Sequence, residues 1–410
     1  MGIAIVCAQL LDGTAGPPLH DAAVVIDGDR IAAVGPRANL SLAAHRVIDA
    51  GERTLLPGLI DSHVHVAGFL KRTAPTTGDP VEVARNVFDM VSGLVALARN
   101  GVCAIRDCGY PDHTIFAVRE AAQAGLFPAP RLILCGRALC ASGGHAASLS
   151  VQVDGTDAVR RAVRLECKAG ADWIKLMVTG GTATPNERVE DIQFTFEEVA
   201  AAVDEAHRRG RRVCAHCSNL EGTKMALRAG IDCVEHGIDL DDEAITLMRE
   251  RGVWLSACLK CTEVEGVNRP EDEVPPYIAA RAGTIYQTQM ASFRRARDAG
   301  VPVSAGSDGM LSYFPLSALS LIRELAFMTE LGLMPGEAIS VATQATAELI
   351  GLDDAGTIAP GKRADLFVVE GDPLRDLMQL TKPWLVMLGG RLVRAPEDTV
   401  RDQHVGWMTS

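Results

Sequence analysis

The sequence predicts an α/β chain built as a (β/α)8 TIM barrel. Three observations carry that prediction: short, apolar, β-branched runs recur through the middle of the chain, helical patterns separate them, and polar residues rich in histidine close several of the runs. At 410 residues with 48% hydrophobic content, the chain can bury one large core and a small accessory one. The head reads as short strands joined by turns, among them Ala23–Ile26, the turn Asp27-Gly28-Asp29, and Arg30–Val34. Alone these strands are too few to enclose a core. The candidate barrel strands follow: Leu59–Val66, Val102–Asp107, Arg131–Gly136, Asp172–Val178, Arg212–His216, Cys233–His236, Val253–Cys258 and Pro302–Asp308. Each is a short, mostly apolar run of the kind found in parallel strands buried on both faces. Helices are expected between them, for example Asp157–Lys168, Thr195–Arg209 and Asp239–Glu250, each opening on a Thr or Asp able to cap. From Gly356 the texture of the head returns, with Ala364–Val369 and Leu385–Val393 as strands around Gly and Pro turns. Head and tail are therefore expected to pair into one small β-sandwich domain. The predicted division is 1–56 and 356–410 for that domain and 57–355 for the barrel.

Composition narrows the function. The net charge is −12, and Lys and Arg are scattered, so no basic stripe exists to displace counterions from nucleic acid. The first residues lack the basic and long apolar regions of a signal peptide, and no run reaches the roughly 18 apolar residues of a membrane span. A cytoplasmic protein is expected. Its partners should be a small-molecule substrate and further copies of the chain in a homo-oligomer, with no nucleic acid and no membrane. Eleven cysteines, an odd number at irregular spacing, read as reduced and mostly buried thiols.

A barrel displays its reactive groups at the C-terminal ends of its strands. There the sequence sets His63 and His65, Lys175, His216, His236 and Asp308. Residues two apart on a strand point to one side, so His63 and His65 can hold one ion together. Imidazole and carboxylate suit zinc, with manganese, iron or cobalt as further fits. A lone histidine is more often a hydrogen-bonded structural residue. His20, His45, His113, His207 and His404 show no such pattern, whereas the joint arrangement of the others points to a metal site. Lys175 falls inside an apolar strand, where burial should pull its pKa toward the neutral amine. Either it pairs with a carboxylate such as Asp107, or it takes up carbon dioxide as a carbamate whose oxygens bridge two metal ions. Such a pair polarises a carbonyl and activates a bridging water, with Asp308 as ligand and general base passing the proton to the leaving amine. Two further signals are set aside. The C-x2-C pairs Cys214/Cys217 and Cys258/Cys261 are too far apart for a structural zinc and read as buried thiols lining the pocket, and Gly143-Gly144 and Gly180-Gly181 read as loop glycines that let backbone approach the site. The charged, proline-containing stretch Glu263–Pro276 is either a lid or a solvated loop.

The segments Leu56-Pro57-Gly58-Leu59-Ile60-Asp61-Ser62-His63-Val64-His65, Val234-Glu235-His236-Gly237, Gly306-Ser307-Asp308 and Gly356–Asp365 resemble the signature segments of the amidohydrolase superfamily, in order and across nearly the whole chain. Ser142-Gly143-Gly144-His145 and Gly170–Met177, followed by Gly180-Gly181, resemble the imidazolonepropionase-related branch that holds metal-dependent Xaa-Pro dipeptidases and ochratoxinase-type enzymes. The resemblance implies two Zn2+ ions bridged by carboxylated Lys175, with His63, His65 and Asp308 on the more buried ion and His216 and His236 on the more exposed one. It places His145 near the substrate, polarising a carbonyl or binding a carboxylate. It also marks a departure: Ser218 stands where the dipeptidases present a tyrosine to the substrate, and the loop after His145 is shorter.

The expected activity is metal-dependent hydrolysis of an amide bond in a small, amino-acid-derived substrate. The alternative within the fold is a single-metal deaminase or cyclic-amide hydrolase, which has no need of a bridging carbamate at Lys175. An alternative of another class is a non-catalytic ligand-binding barrel, against which the retention of every expected ligand argues.

Overall fold

The computed structural model describes residues 2–67, 79–262, 276–310 and 316–396. The expectation for 263–276 therefore lies outside the described residues, except that Pro276 opens a helix. Among the described residues no helix is long and apolar enough to cross a membrane.

The head supplies β1 (Gly2–Leu10), β2 (Leu19–Asp27), β3 (Arg30–Pro36), β4 (His45–Asp49) and β5 (Thr54–Pro57). The middle then alternates β6 (Leu59–His65), α1 (Pro80–Arg99), β7 (Val102–Asp107), α2 (Thr114–Gln123) and β8 (Arg131–Leu134). Two short strands, β9 (Ala138–Cys140) and β10 (Ser150–Gln152), come before α3 (Thr156–Ala169). The alternation resumes with β11 (Trp173–Met177), α4 (Phe196–His207), β12 (Arg212–Cys217), α5 (Leu220–Ala229), β13 (Cys233–His236), α6 (Asp242–Arg251), β14 (Trp254–Ser256) and α7 (Pro276–Asp298). It finishes on β15 (Val303–Ser304), β16 (Gly309–Met310) and α8 (Leu316–Glu330). The tail adds β17 (Leu366–Val369), β18 (Pro383–Leu388) and β19 (Arg391–Arg394).

The middle strands form two parallel sheets, one ordered β10-β9-β11-β12-β13-β14-β15 and one ordered β16-β6-β7-β8. Backbone hydrogen bonds join the two sheets at two places. Asp172 N donates to Leu134 O at 2.8 Å, linking β8 to the entry of β11, and Ser62 N donates to Ala305 O at 2.8 Å, linking β6 to the exit of β15. Val, Ile and Leu side chains of these strands, such as Ile105, Ile174, Val213 and Leu255, are buried with the inner faces of the helices. Each such burial contributes about 1.5–3 kcal/mol.

Helix ends follow local chemistry. Thr195 caps α4 in a reciprocal capping box with Glu198. The other two expected caps shift: Gly155 precedes α3 with no side-chain cap, leaving Asp157 inside the first turn, and Asp241, rather than Asp239, caps α6 by accepting from Ala244 N. Asp239 itself has φ 60, a left-handed backbone unlike the extended one of the cap residue Asp241. Gly252 closes α6 at φ 65, where a side chain would be strained.

Head and tail meet in register: β17 runs antiparallel to β5, with Leu366 opposite Pro57 and Val369 opposite Thr54. The expected sandwich takes the form of one eight-stranded sheet rather than two. Along one edge β1 pairs with β2, and along the other with both β4 and β5. This branching lets side chains from β1, β2, β17 and β18 share a single core around Ile5, Val24, Val368 and Leu385.

Candidate metal centre

His63 and His65 alternate along β6 and emerge on one side. Each Nε2 lies 3.5 Å from Asp308 Oδ1, and the three groups form one set of close donors. Asp308 sits just beyond β15, in a left-handed turn at φ 48, and its N–H donates to His63 O at 2.8 Å. Strand eight is thus shorter than expected, and a strained turn carries its carboxylate. The same left-handed backbone occurs at His236 and Cys258, where β13 and β14 end. Strain gathered at three neighbouring strand ends is a mark of a functional site.

The remaining ring nitrogens are tied down. His63 Nδ1 lies 2.7 Å from Glu235 Oε2, and His65 Nδ1 lies 3.2 Å from Gly109 O, which can only accept. Both rings therefore carry a proton on Nδ1 and turn Nε2 toward Asp308, the arrangement of a metal-ligating histidine. Burial holds His65 down at about 4 and His236 at about 3, so both are neutral ligands near pH 7. Burial alone would raise the Asp308 carboxyl, but the groups around it, His63 first and Lys175 among them, hold it down at about 2. Neutral His65 and His236 beside an ionised carboxylate, with His63 drawn toward its charged form by its acidic neighbours, make a donor set that fits a divalent cation.

His216 and His236 meet edge to face, with ring centroids 4.6 Å apart, and His145 stacks on His216 at 4.3 Å. His216 Nε2 lies 3.2 Å from Gly180 O and 2.9 Å from Ser218 Oγ, and His216 belongs to none of the close donor sets among the described residues. Ser218 is buried, with its hydroxyl turned to His216 and its N–H donating to Thr179 Oγ1 at 2.8 Å.

Lys175 lies in β11 and is 1% exposed. Among the described residues no hydrogen bond or ion pair engages its Nζ, and Asp107 is committed elsewhere, accepting from Val66 N at 2.8 Å and Gly109 N at 3.0 Å. The expected neutral amine is corrected. Burial pulls the ammonium down, but the surrounding groups, the Glu235 and Asp308 carboxylates among them, outweigh it and hold Lys175 above its ordinary value. Cations placed beside it would reverse that balance.

His145 is fixed by Glu187: its Nδ1 lies 2.5 Å from Glu187 Oε1, which also accepts from Gly181 N at 3.0 Å. Gly181 earns its place by close approach, since a Cβ there would stand 2.4 Å from His145 Cε1. The C-x2-C pairs do not assemble. Cys258 Sγ lies 3.3 Å from His63 Nδ1 and Cys261 Sγ 3.7 Å from His236 Nδ1, while Cys217 packs in the core.

Sequence reasoning missed the residues behind the ligands. Arg106, fully buried, donates from Nη2 to Glu235 Oε1 at 2.5 Å and so orients the carboxylate that holds His63. Burial would raise Glu235, but Arg106 and His63 keep it well below the usual carboxylate range. Asp61 accepts from Ser307 N at 3.0 Å and from Ser307 Oγ at 2.6 Å, which pins the turn before Asp308 to β6. The available signals were a charged Arg in the apolar run Val102–Asp107 and the Glu beside His236.

The chain is similar to several known proteins. A profile described as the amidohydrolase family matches residues 54–393, and one described as an imidazolonepropionase-like composite domain of bacteria matches residues 22–44. Ochratoxinase from Aspergillus niger is 29% identical, over 96% of this chain and 87% of its own length. Imidazolonepropionase from Cereibacter sphaeroides is 27% identical, over 89% and 92%. The crystal structure of an Xaa-Pro dipeptidase with bound methionine superposes with a TM-score of 0.83 at 28% identity, over 96% of this chain and 99% of that one.

Proposed function

The chain belongs to the amidohydrolase family and is a hydrolase of carbon–nitrogen bonds. From that premise we propose that it cleaves an amide bond in a small, amino-acid-derived substrate at the histidine–aspartate cluster. The fold is read as a (β/α)8 barrel over 57–355, supported by the strand–helix alternation and by the bonds joining the two sheets, with a small β-domain from 1–56 and 356–410. The observation that carries the functional reading is the convergence of the His63 and His65 Nε2 atoms on Asp308 Oδ1, with each Nδ1 tied off behind.

In this reading His63, His65 and Asp308 would hold one divalent ion and His216 and His236 a second, with carboxylated Lys175 as a further ligand, zinc being the best match to the donors. Bound there, the ions would polarise the scissile carbonyl and supply activated water. Asp308, ionised at neutral pH, takes a proton at its carboxylate and returns it to the leaving nitrogen. His145, oriented by Glu187, polarises the substrate carbonyl or binds its carboxylate. Arg106 and Glu235 hold the His63 ring in place and touch no reacting atom.

A second reading, one ion and a cyclic-amide or deamination substrate, is favoured by a specific observation: His63, His65 and Asp308 form a close set without His216. One experiment separates the two. The purified enzyme is screened against dipeptides, N-acyl amino acids, lactams, ureas and carbamates, with metal content measured on the same sample. The first reading expects an open-chain amide substrate and close to two metals per chain, whereas full activity with one metal selects the second.

A further inference from the structure

Below the histidine cluster the chain buries a second set of donors. Cys108 directly follows β7, Cys135 directly follows β8, and Cys214 lies in β12 opposite Lys175 of β11. All three are fully buried, none is disulfide-bonded, and their Sγ atoms lie within 4.8 Å of one another. Among the described residues no His, Asp or Glu joins these three sulfurs in one set; Cys108 alone also belongs to a set with His63 and Glu235.

Three thiolates around one ion at a metal–sulfur distance of about 2.3 Å stand about 4 Å apart, a spacing within what the three sulfurs already have. A tetrahedral ion would need a fourth donor, and soft sulfur ligands favour soft cations. Charge is also provided for. The Arg106 guanidinium lies within electrostatic reach of Cys108 and Cys214, and its buried Nη1 has no hydrogen-bond partner. An unpaired buried donor is costly, and a thiolate cluster beside it would offset that cost.

We propose that Cys108, Cys135 and Cys214 form a binding site for one thiophilic d10 cation, distinct from the histidine–aspartate centre, and that filling it inhibits hydrolysis. As each sulfur–metal bond forms, the thiol proton leaves to solvent and no electron is transferred. Inhibition follows from connectivity, and this half of the proposal rests on the functional reading above. Cys214 lies two residues before His216. Cys108 follows Asp107, whose carboxylate holds the Gly109 amide, and Gly109 O receives the His65 Nδ1 proton. Drawing the sulfurs onto an ion shifts these strand ends beneath the ligands.

The test uses the holoenzyme carrying Cys167→Ser, titrated with Hg(II), with Cys261 left in place because it lies against His236. The expected result is one Hg(II) per chain, a sulfur-to-mercury charge-transfer band, three sulfur neighbours by X-ray absorption, and loss of hydrolysis with the resident metals retained. Cys135→Ser, and separately Cys135→Ala, should abolish the band and raise the Hg(II) needed for inhibition by about tenfold or more. X-ray absorption on the parent protein needs no Cys135 variant, so the proposal stays testable if those variants do not fold. A mixed nitrogen and sulfur shell, or a band that survives both Cys135 changes, overturns the site. Full hydrolysis with the site filled overturns the inhibitory half alone. Failure to find any amide substrate refutes the functional reading but leaves the spectroscopic result to stand or fall by itself.

Discussion

Lys175 is the residue on which the number of metal ions turns. It is buried, and the Glu235 and Asp308 carboxylates are among the groups that hold it above its ordinary value. As a bridging carbamate, its loss should remove both metal and turnover. Lys175→Ala is expected to retain at most one metal per chain and to lose about 100-fold or more of kcat. Added short carboxylic acids should restore part of that loss; metal analysis and turnover on one sample decide it, and wild-type turnover would make Lys175 structural. Ser218 bears on specificity. Its hydroxyl engages His216, and the resemblance to Xaa-Pro dipeptidases implies that a tyrosine facing the substrate would stand at its place. The wild-type protein should therefore turn over Xaa-Pro dipeptides weakly, and Ser218→Tyr should shift relative kcat/KM toward dipeptides by about 10- to 200-fold. Efficient hydrolysis of many Xaa-Pro dipeptides by the unmodified protein would show that another residue does this work.

At the scale of elements, loops and helices place groups that the strands alone do not. The turn after β11 brings Gly181 against the His145 ring, so Gly181→Ala must displace either the loop or the imidazole. The expected outcome is a fall of about 10- to 100-fold in kcat/KM with metal content unchanged, because the displaced group is not a ligand. Equal loss of metal would show that the loop supports the ions themselves. Helix α8 acts across elements: Glu324 accepts from Leu259 N at 2.9 Å and Lys260 N at 2.8 Å, capping the turn after β14 that carries Cys261. Burial raises this carboxyl from its ordinary 4.5 to about 8, more than the two amides lower it. The folded state thus binds a proton that the unfolded state has released, and stability falls as pH rises. The contribution is complete below about 4.5 and gone above about 8, with a steepest slope of about 1.4 kcal/mol per pH unit. Glu324→Gln should flatten the dependence of urea unfolding on pH between these limits, and an unchanged slope would assign it to other groups.

Across the whole molecule a charged network ties head, middle and tail together. Arg131 at the start of β8 bonds Asp354 Oδ1 at 2.6 Å and Asp365 Oδ2 at 3.3 Å, while Arg30 of β3 reaches Asp354 Oδ2 at 2.9 Å. Asp365 is buried, which raises its carboxyl even with Arg131 and Arg363 beside it. Arg131→Ala leaves that carboxylate with less compensation and should cost about 1–3 kcal/mol in urea unfolding, without changing turnover per folded molecule. A loss below about 0.5 kcal/mol would mean the network behaves as an ordinary surface pair.

The alternation of strands and helices, and the emergence of His63 and His65 on one side of a strand, were legible in the amino-acid order, because periodicity and strand ends are local properties. So was the kinship of head and tail, whose short strands could not enclose a core separately. What the chain order could not state is which distant groups share a space. Glu235 meets His63 across 172 positions and Arg106 across 129, and Glu187 meets His145 across 42. The charge state of Lys175 was misjudged for the same reason: burial is a property of its own strand, but the opposing field comes from groups on other strands, the Glu235 and Asp308 carboxylates among them. The gathering of Cys108, Cys135 and Cys214 from separate strands is likewise a product of folding alone. Local sequence determines backbone periodicity and side-chain chemistry, whereas distances, burial and the summed electrostatic field exist only once the strands are packed side by side.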